Sequence, residues 1–353
     1  FNAESLPTTG GGPTPLTTSP DNATFAISYF PSDERILVGA DKGGNELDHV
    51  YVREVDGTLK DITPGDGLKA DFLDWSDDGR TFWVISNERD PQMFDVYAYD
   101  TATFARKLVF KNEGYFAGAI SGDGKWLALT KEHSSANSDL YLADMTKPNA
   151  KPLLISRHDG DAAFAAFEFM PDNKALVYGT NEHGEYNQAW IYKLETRQKA
   201  ELVKADWDVM FVTYSPTGEY RVSAVNADAS TQLTILDSAA NAPVTLTGVP
   251  AGDIGGVRFS RDEARIAFTV ASDTSPADVF VADLATGAAT RLTRNLNPAV
   301  DETMLVEATV VRYPSFDNLQ IPAILYKPKT ASAENPVPAI VDVHGGPGGQ
   351  SRR

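Results

Sequence analysis

Trp75-Ser76-Asp77-Asp78-Gly79 is an apolar residue running into a turn, and the β-rich run Thr81-Phe82-Trp83-Val84-Ile85 follows it. Ser and Asp side chains bond nearby backbone N–H groups, and Gly takes the positive φ that a tight hairpin needs. The pattern recurs along the chain. It is found at Phe30-Pro31-Ser32-Asp33, Ile120-Ser121-Gly122-Asp123-Gly124, Phe169-Met170-Pro171-Asp172-Asn173, Tyr214-Ser215-Pro216-Thr217-Gly218 and Phe259-Ser260-Arg261-Asp262. Taken in chain order, the leading residues lie 45, 45, 49, 45 and 45 apart.

A second motif closes each unit, an apolar residue followed by Thr, Val or Ile. It leads at Leu16, Ile62, Leu108, Leu154, Leu202, Leu246 and Leu292, spaced 46, 46, 46, 48, 44 and 46. Alternating segments lie between the two motifs, such as Asp95-Val96-Tyr97-Ala98-Tyr99-Asp100 and Asp278-Val279-Phe280-Val281-Ala282-Asp283. Period-2 alternation of aromatic and β-branched residues predicts strands. A period near 45 with about four short strands per unit predicts the blades of a β-propeller. The repeated aspartates lack the alternating ladder and terminal Glu of a calcium loop, so they are assigned to turns.

Seven closing motifs stand against six opening ones. Residues 1–18 therefore read as the second half of a blade whose first half lies upstream of Phe1. The expected fold class is all-β: a seven-bladed β-propeller with an incomplete first blade over residues 1–300. A six-bladed propeller with a loose N-terminal arm is the alternative. A half blade would expose an unpaired strand edge.

The repeat ends after residue 293. Residues 294–305 read as a polar connection. Leu305-Val306-Glu307-Ala308-Thr309-Val310-Val311-Arg312-Tyr313 and Ile321-Pro322-Ala323-Ile324-Leu325-Tyr326-Lys327-Pro328 then form a hairpin around a turn at Phe316-Asp317-Asn318-Leu319. Beyond a loop with three prolines comes Val337-Pro338-Ala339-Ile340-Val341-Asp342-Val343-His344-Gly345-Gly346-Pro347-Gly348-Gly349-Gln350. A short apolar run delivering a glycine loop suits a buried parallel strand at the carboxyl edge of an α/β sheet. Glycines there let backbone N–H groups approach a ligand, and such a loop can hold the oxyanion of an acyl transfer. Residues 301–353 are thus expected to lie beyond a domain boundary near 300 and to open an α/β sheet.

Composition narrows the function. The chain has 353 residues, with 31 basic against 49 acidic ones and a net charge of −18. That disfavours nucleic acid and anionic membranes as partners, because phosphate binding needs a basic face. With no cysteine, disulfides, thiolate catalysis and Cys-ligated metals are excluded. No run of 18 apolar residues is present to span a membrane. No signal peptide is visible, and cytoplasm and periplasm both stay open.

Gly-x-Ser-x-Gly, the nucleophile elbow, is absent, as are P-loop and dinucleotide fingerprints. His49, His133, His158 and His183 match no metal spacing and read as surface or turn residues. The loop Glu182-His183-Gly184-Glu185-Tyr186 reads as solvated. No metal or cofactor is expected.

Taken together, the Trp75-Ser76-Asp77-Asp78-Gly79 repeats, the hairpin from Ser315-Phe316-Asp317-Asn318 to Tyr326-Lys327-Pro328, and His344-Gly345-Gly346-Pro347 carry a family likeness. The whole chain resembles the prolyl oligopeptidase family of serine peptidases, nearest to its acylaminoacyl-peptidase and dipeptidyl-aminopeptidase branches. The resemblance implies a propeller that caps an α/β-hydrolase domain and admits short peptides, with residues 301–353 as the N-terminal part of that hydrolase domain, truncated. It also implies that His344, Gly345 and Gly346 belong to an oxyanion loop, with the Gly346 N–H as donor and His344 and Pro347 holding the path. By the same resemblance the Ser, Asp and His triad lies beyond residue 353, so the chain's first partner is its own missing C-terminal catalytic domain and the fragment alone is inert. His344 is not the triad histidine, which follows the nucleophile in α/β-hydrolases. Exopeptidase branches recognise a free amino terminus with propeller acids. Glu113, Glu182 and Glu185 include no adjacent Glu-Glu pair, so aminopeptidase, acylaminoacyl-peptidase and endopeptidase activity all stay open. An esterase and a non-catalytic protein-binding propeller are the competing readings.

Overall fold

A computed structural model describes every residue except 148–150 and 347–348. Two compact units divide the chain, Phe1–Val203 and Lys204–Arg353. The first carries four four-stranded antiparallel meanders, here blades 1 to 4, over residues 24–61, 70–110, 116–154 and 164–203. The second carries blades 5 and 6, over residues 208–244 and 253–291, and the two-stranded hairpin Thr309–Pro314 with Gln320–Leu325. In every blade the strands pair in chain order, the up-and-down order of a β-propeller blade.

The repeated turn forms as its residues dictate. At Trp75 the Ser76 N–H donates to Thr81 O at 2.9 Å, and the Gly79 N–H returns to Ser76 O at 2.9 Å. The Asp78 carboxylate accepts from Ser76 Oγ at 2.8 Å and from the Arg80 N–H at 3.0 Å. The same pattern closes Ser121-Gly122-Asp123-Gly124 and Ser260-Arg261-Asp262-Glu263. The turn's fourth position is left-handed in both, at Gly124 (φ 68°) and Glu263 (φ 54°). The repeated aspartates therefore serve their turns.

Period-2 alternation then fills two cores from each of blades 2 and 3. Phe82 and Val84 face one cluster with Phe30, Leu37 and Val52 of blade 1, while Trp83 and Val96 face another with Ile120, Leu127 and Leu129 of blade 3. Leu140 and Leu142 pack with Phe164, Leu176 and Tyr178 of blade 4. In the second unit Val222 and Ile235 pack with Ile266, Phe268 and Phe280. Burying each such side chain contributes about 1.5–3 kcal/mol, so middle strands are apolar on both faces. Ala175–Thr180 is buried at every residue.

Two features position the blades further. Every first strand slips register against the second at one place: between Ala26 and Ser28, Phe72 and Asp74, Ala117 and Ala119, Ala166 and Glu168, Val209 and Phe211, and Gly255 and Arg258. In blades 1 to 4 the slip falls at the same point of the repeat, where a bulge bends each first strand alike. Neighbouring turns also bind one another. The Asp77 N–H donates to Gly122 O at 2.9 Å, and Asp77 Oδ2 accepts from Asn173 Nδ2 at 2.6 Å. Thr217 donates from its N–H and its hydroxyl to the buried Glu263 carboxylate.

The blade count corrects the expectation of seven. Among the described residues six blades are four-stranded, and residues 1–18 supply a ladder of only two residues a side, Glu4–Ser5 with Thr14–Pro15. The Gly10-Gly11-Gly12-Pro13 run cannot extend it, because Gly weakens strands and Pro cannot donate. The segment is not a loose arm either. The Ala3 N–H donates to Thr17 Oγ1 at 2.8 Å, the bond Val50 makes to Thr63 in blade 1 and Leu140 makes to Ser156 in blade 3. The closing motif at Leu16 thus marks a real strand pair, and a closing pair alone does not make a blade.

A second correction concerns residues 337–343. This run forms no strand, and Ile340, Val341 and Val343 are 95%, 87% and 82% exposed. A strand needs a neighbour for its backbone groups, and none of the described sheets takes this segment. No helix among the described residues is long and apolar enough to cross a membrane.

Candidate functional site

The glycine loop lies in the second unit. His344, Gly345 and Gly346 are exposed, and the chain bends at Gly345 and Gly346. Gly346 has φ +108°, a conformation L side chains rarely adopt, so this position requires glycine. Around it the loop is tight. A Cβ on Gly349 would sit 2.7 Å from Gly345 O and 3.2 Å from the His344 ring. His344 Nδ1 lies 3.0 Å from Gly345 O. Pro347 and Gly348, expected to complete the loop, lie outside the described residues.

The segments flanking the loop are held by the ends of blades 5 and 6. Arg352 donates to Asn226 Oδ1 at 3.0 Å and to Thr231 Oγ1 at 2.9 Å, and stands 3.6 Å from Asp253. Asn226 also donates to Gln350 Oε1 at 2.6 Å, and the Arg353 N–H donates to Ala229 O at 3.0 Å. Upstream, Arg312 pairs with Asp228, and Tyr326 donates to Asp273 Oδ1 at 2.6 Å. That bond holds the Tyr326 phenol above its ordinary range, with desolvation adding to the effect. Sequence reasoning missed these residues. The signal available was the 45-residue spacing of Asp228 and Asp273.

The propeller histidines all belong to the first unit, where His133 and His158 both approach Asp139. His49 opens the strand His49–Arg53, is 5% exposed, and has Nδ1 2.8 Å from Asp61 Oδ2. His158 is also buried, with a side chain 7% exposed and Nδ1 2.7 Å from Ser156 O. His49 corrects the surface assignment: it stands opposite Ala40 at the end of a ladder, with Asp61 against its ring. His158 sits in the connection after Leu153–Leu154, its ring 5.1 Å from that of Phe164. His133, half-exposed, pairs with Asp139 at 2.9 Å. His183 lies over the Trp190 ring at 4.5 Å, in the 181–187 loop with Glu182 beside it at 3.7 Å. Glu185 is exposed in that same loop, and Glu113 is exposed in the connection between Arg106–Phe110 and Phe116–Ile120.

Buried carboxylates form stronger local clamps. Asp95 is fully buried and accepts from Arg89 at 2.6 and 2.9 Å and from the Asn112 N–H at 2.8 Å. Asp278 does the same in blade 6 with Thr293, Asn295, Ser275 and Arg291. Asp74, on the bulged first strand of blade 2, reaches water yet is hemmed in by protein. Desolvation pushes its carboxyl up to about 6, the Trp75 N–H opposing and Asp77 adding repulsion.

This architecture has known relatives. The family model described as the prolyl oligopeptidase N-terminal beta-propeller domain matches residues 17–295. The chain belongs to the prolyl oligopeptidase family. Within reach of sequence, dipeptidyl aminopeptidase BIII of Pseudoxanthomonas mexicana is 28% identical, over 93% of this chain and 49% of its own length. A puromycin-hydrolysing peptidase of Mycobacterium tuberculosis shares the fold at a TM-score of 0.70 and 16% identity, over 94% of this chain and 55% of that one. A prolyl endopeptidase shares it at 0.68 and 15%, over 88% and 48%. The chain spans about half the length of the curated relative it matches.

Proposed function

We propose that this chain is the propeller portion of a serine peptidase that hydrolyses short peptides, the propeller gating access to a hydrolase domain that begins near residue 301. The observation that carries the reading is the exposed run Ile340-Val341-Asp342-Val343 directly ahead of a glycine loop whose Gly346 has φ +108°. An apolar β-branched run left in water is a strand without its sheet. A following segment would supply that sheet and the serine, histidine and aspartate of the reaction.

In that assembly the serine hydroxyl, its proton taken by histidine, attacks the scissile carbonyl. The carbonyl oxygen becomes an oxyanion, which accepts from the Gly346 N–H and from the N–H following the serine. Collapse expels the amine, and water releases the acyl group. His344 and Gly345 hold the path that aims Gly346.

The test is peptide turnover by the protein extended through its following segment. Gly346→Ala forces a side chain into the left-handed region and should lower kcat by about 100-fold. Unchanged kcat would remove Gly346 from the oxyanion role. An extended protein that binds peptides, hydrolyses none and takes no serine-directed probe would return the chain to the binding-module reading.

A further inference from the structure

The turns joining the second and third strands of blades 5 and 6 differ from the other two-residue turns at this place, those of blades 2 and 3; blades 1 and 4 have longer connections there, 41–48 and 181–187. Those of blades 5 and 6 each have two central residues, Asp228-Ala229 between Tyr220–Ala227 and Ser230–Asp237, and Asp273-Thr274 between Arg265–Ser272 and Ser275–Asp283. The equivalent turns of blades 2 and 3 carry Pro91-Gln92 and Ser135-Ala136, with no acid. Asp78, Asp123 and Asp262 bond their own turns. Asp228 and Asp273 instead bond partners far along the chain. Asp228 takes Arg312, while Asp273 takes the Tyr326 hydroxyl at 2.6 Å and the Ala308 N–H at 2.8 Å. These three partners stand at the entry, in the first strand and at the exit of the hairpin.

The blade 5 turn is also held in a conformation its residues do not favour. Asp228 and Ala229 have φ +49° and +73°. Asp tolerates this region, but alanine does not favour it, and glycine would adopt it freely. Such an outlier persists where the surroundings over-determine it. Here Ala229 is buried and its carbonyl accepts from the Arg353 N–H, so the turn grips the chain on both sides of the glycine loop.

We propose that the second-to-third-strand turns of blades 5 and 6 form the docking joint between the propeller and residues 308–353, with Asp228 and Asp273 as its positioning residues. The partner surface is the entry hairpin, which presents one cation, Arg312, and one phenol, Tyr326, to two acids set one repeat apart. The consequence for catalysis rests on the peptidase reading, because the joint would fix where the glycine loop is carried.

Hydrogen exchange on this chain tests the joint without any turnover. Asp228→Asn and Arg312→Gln should each speed exchange of the Thr309–Pro314 and Gln320–Leu325 amides about three-fold, the size expected of a partly exposed ion pair, while amides in blades 5 and 6 keep their protection. The double variant should be no faster than either single one. Tyr326→Phe should act similarly through Asp273. Arg312→Gln and Tyr326→Phe alter exposed hairpin side chains, so they report even if the strained turn tolerates no change. Hairpin exchange at wild-type rates, or additive effects of Asp228→Asn and Arg312→Gln, would overturn the joint. An inactive extended protein with intact coupling would overturn only the peptidase reading.

Discussion

Replacing Asp278 by asparagine should destabilise blade 6 severely, and the structure sets the size. The carboxylate is 1% exposed. Oδ1 accepts from Thr293 Oγ1 at 2.7 Å and the Asn295 N–H at 2.8 Å. Oδ2 accepts from Ser275 Oγ at 3.0 Å and from Arg291. All these partners are donors. An amide keeps the shape but turns one acceptor into an NH2 group; the Thr293 or Ser275 hydroxyl on that side can turn to accept from it, but the obligate donor there, the Asn295 N–H or Arg291, loses its acceptor whichever way the amide points. Breaking a buried pair costs about 3–5 kcal/mol, and Arg291, 31% exposed, regains some water, which argues for about 3 kcal/mol. For a unit of this size that is a fall in Tm of roughly 6–12 °C.

The pH dependence supplies a second signature. Burial raises the Asp278 carboxyl, but its hydrogen bonds to Thr293, Asn295, Arg291 and Ser275 outweigh this and hold it below the ordinary range. A depressed acid contributes stability that is complete above its unfolded value, about 3.9, and is lost as pH falls through its folded value. The gap between wild type and Asp278→Asn in thermal unfolding should therefore persist from pH 7 to about 4 and close below that. A fall in Tm of under 2 °C at pH 7, or a gap that widens in acid, would refute the account.

Asp74 predicts the opposite sign. Its carboxyl is raised to about 6, so its contribution is complete below the unfolded value and is lost as pH rises through 6. Asp74→Asn should raise the Tm at pH 7.5, with the gain fading towards pH 4, as read by calorimetry. Ile340→Asn should leave the unfolding of this chain within about 0.5 kcal/mol, because the side chain is 95% exposed. In the extended protein the same change should cost about 2 kcal/mol or more in denaturant unfolding, if the run is buried there.

What the residues disclosed followed the range of the forces involved. The turn motif is local: its Ser, Asp and Gly bond within five residues, so all six turns were legible from spacing. Residues 1–18 misled because Leu16-Thr17 records a closing bond, and that bond forms on two strands as readily as on four. Residues 337–343 misled for a related reason, since alternation states a preference for a sheet and cannot supply the neighbour. The joint was hidden because Asp228 and Arg312 are separated by 84 positions with no shared local pattern. His49 was misplaced because its enclosure depends on Asp61, 12 positions away on a paired strand, which composition does not reveal.

Asp77 meets Gly122 of the next blade through its backbone and Asn173 of the blade after that through its carboxylate. A Cβ at Gly122 would fall 1.8 Å from the Asp77 carboxylate. The repeats look like interchangeable parts, yet the Asp77 turn is cut to fit two others. Grafting a blade from elsewhere in the chain into the third position would bring a correct meander with the wrong keyway. A consensus repeat drawn from averaged blades would erase the contacts that tell the third blade from the fourth.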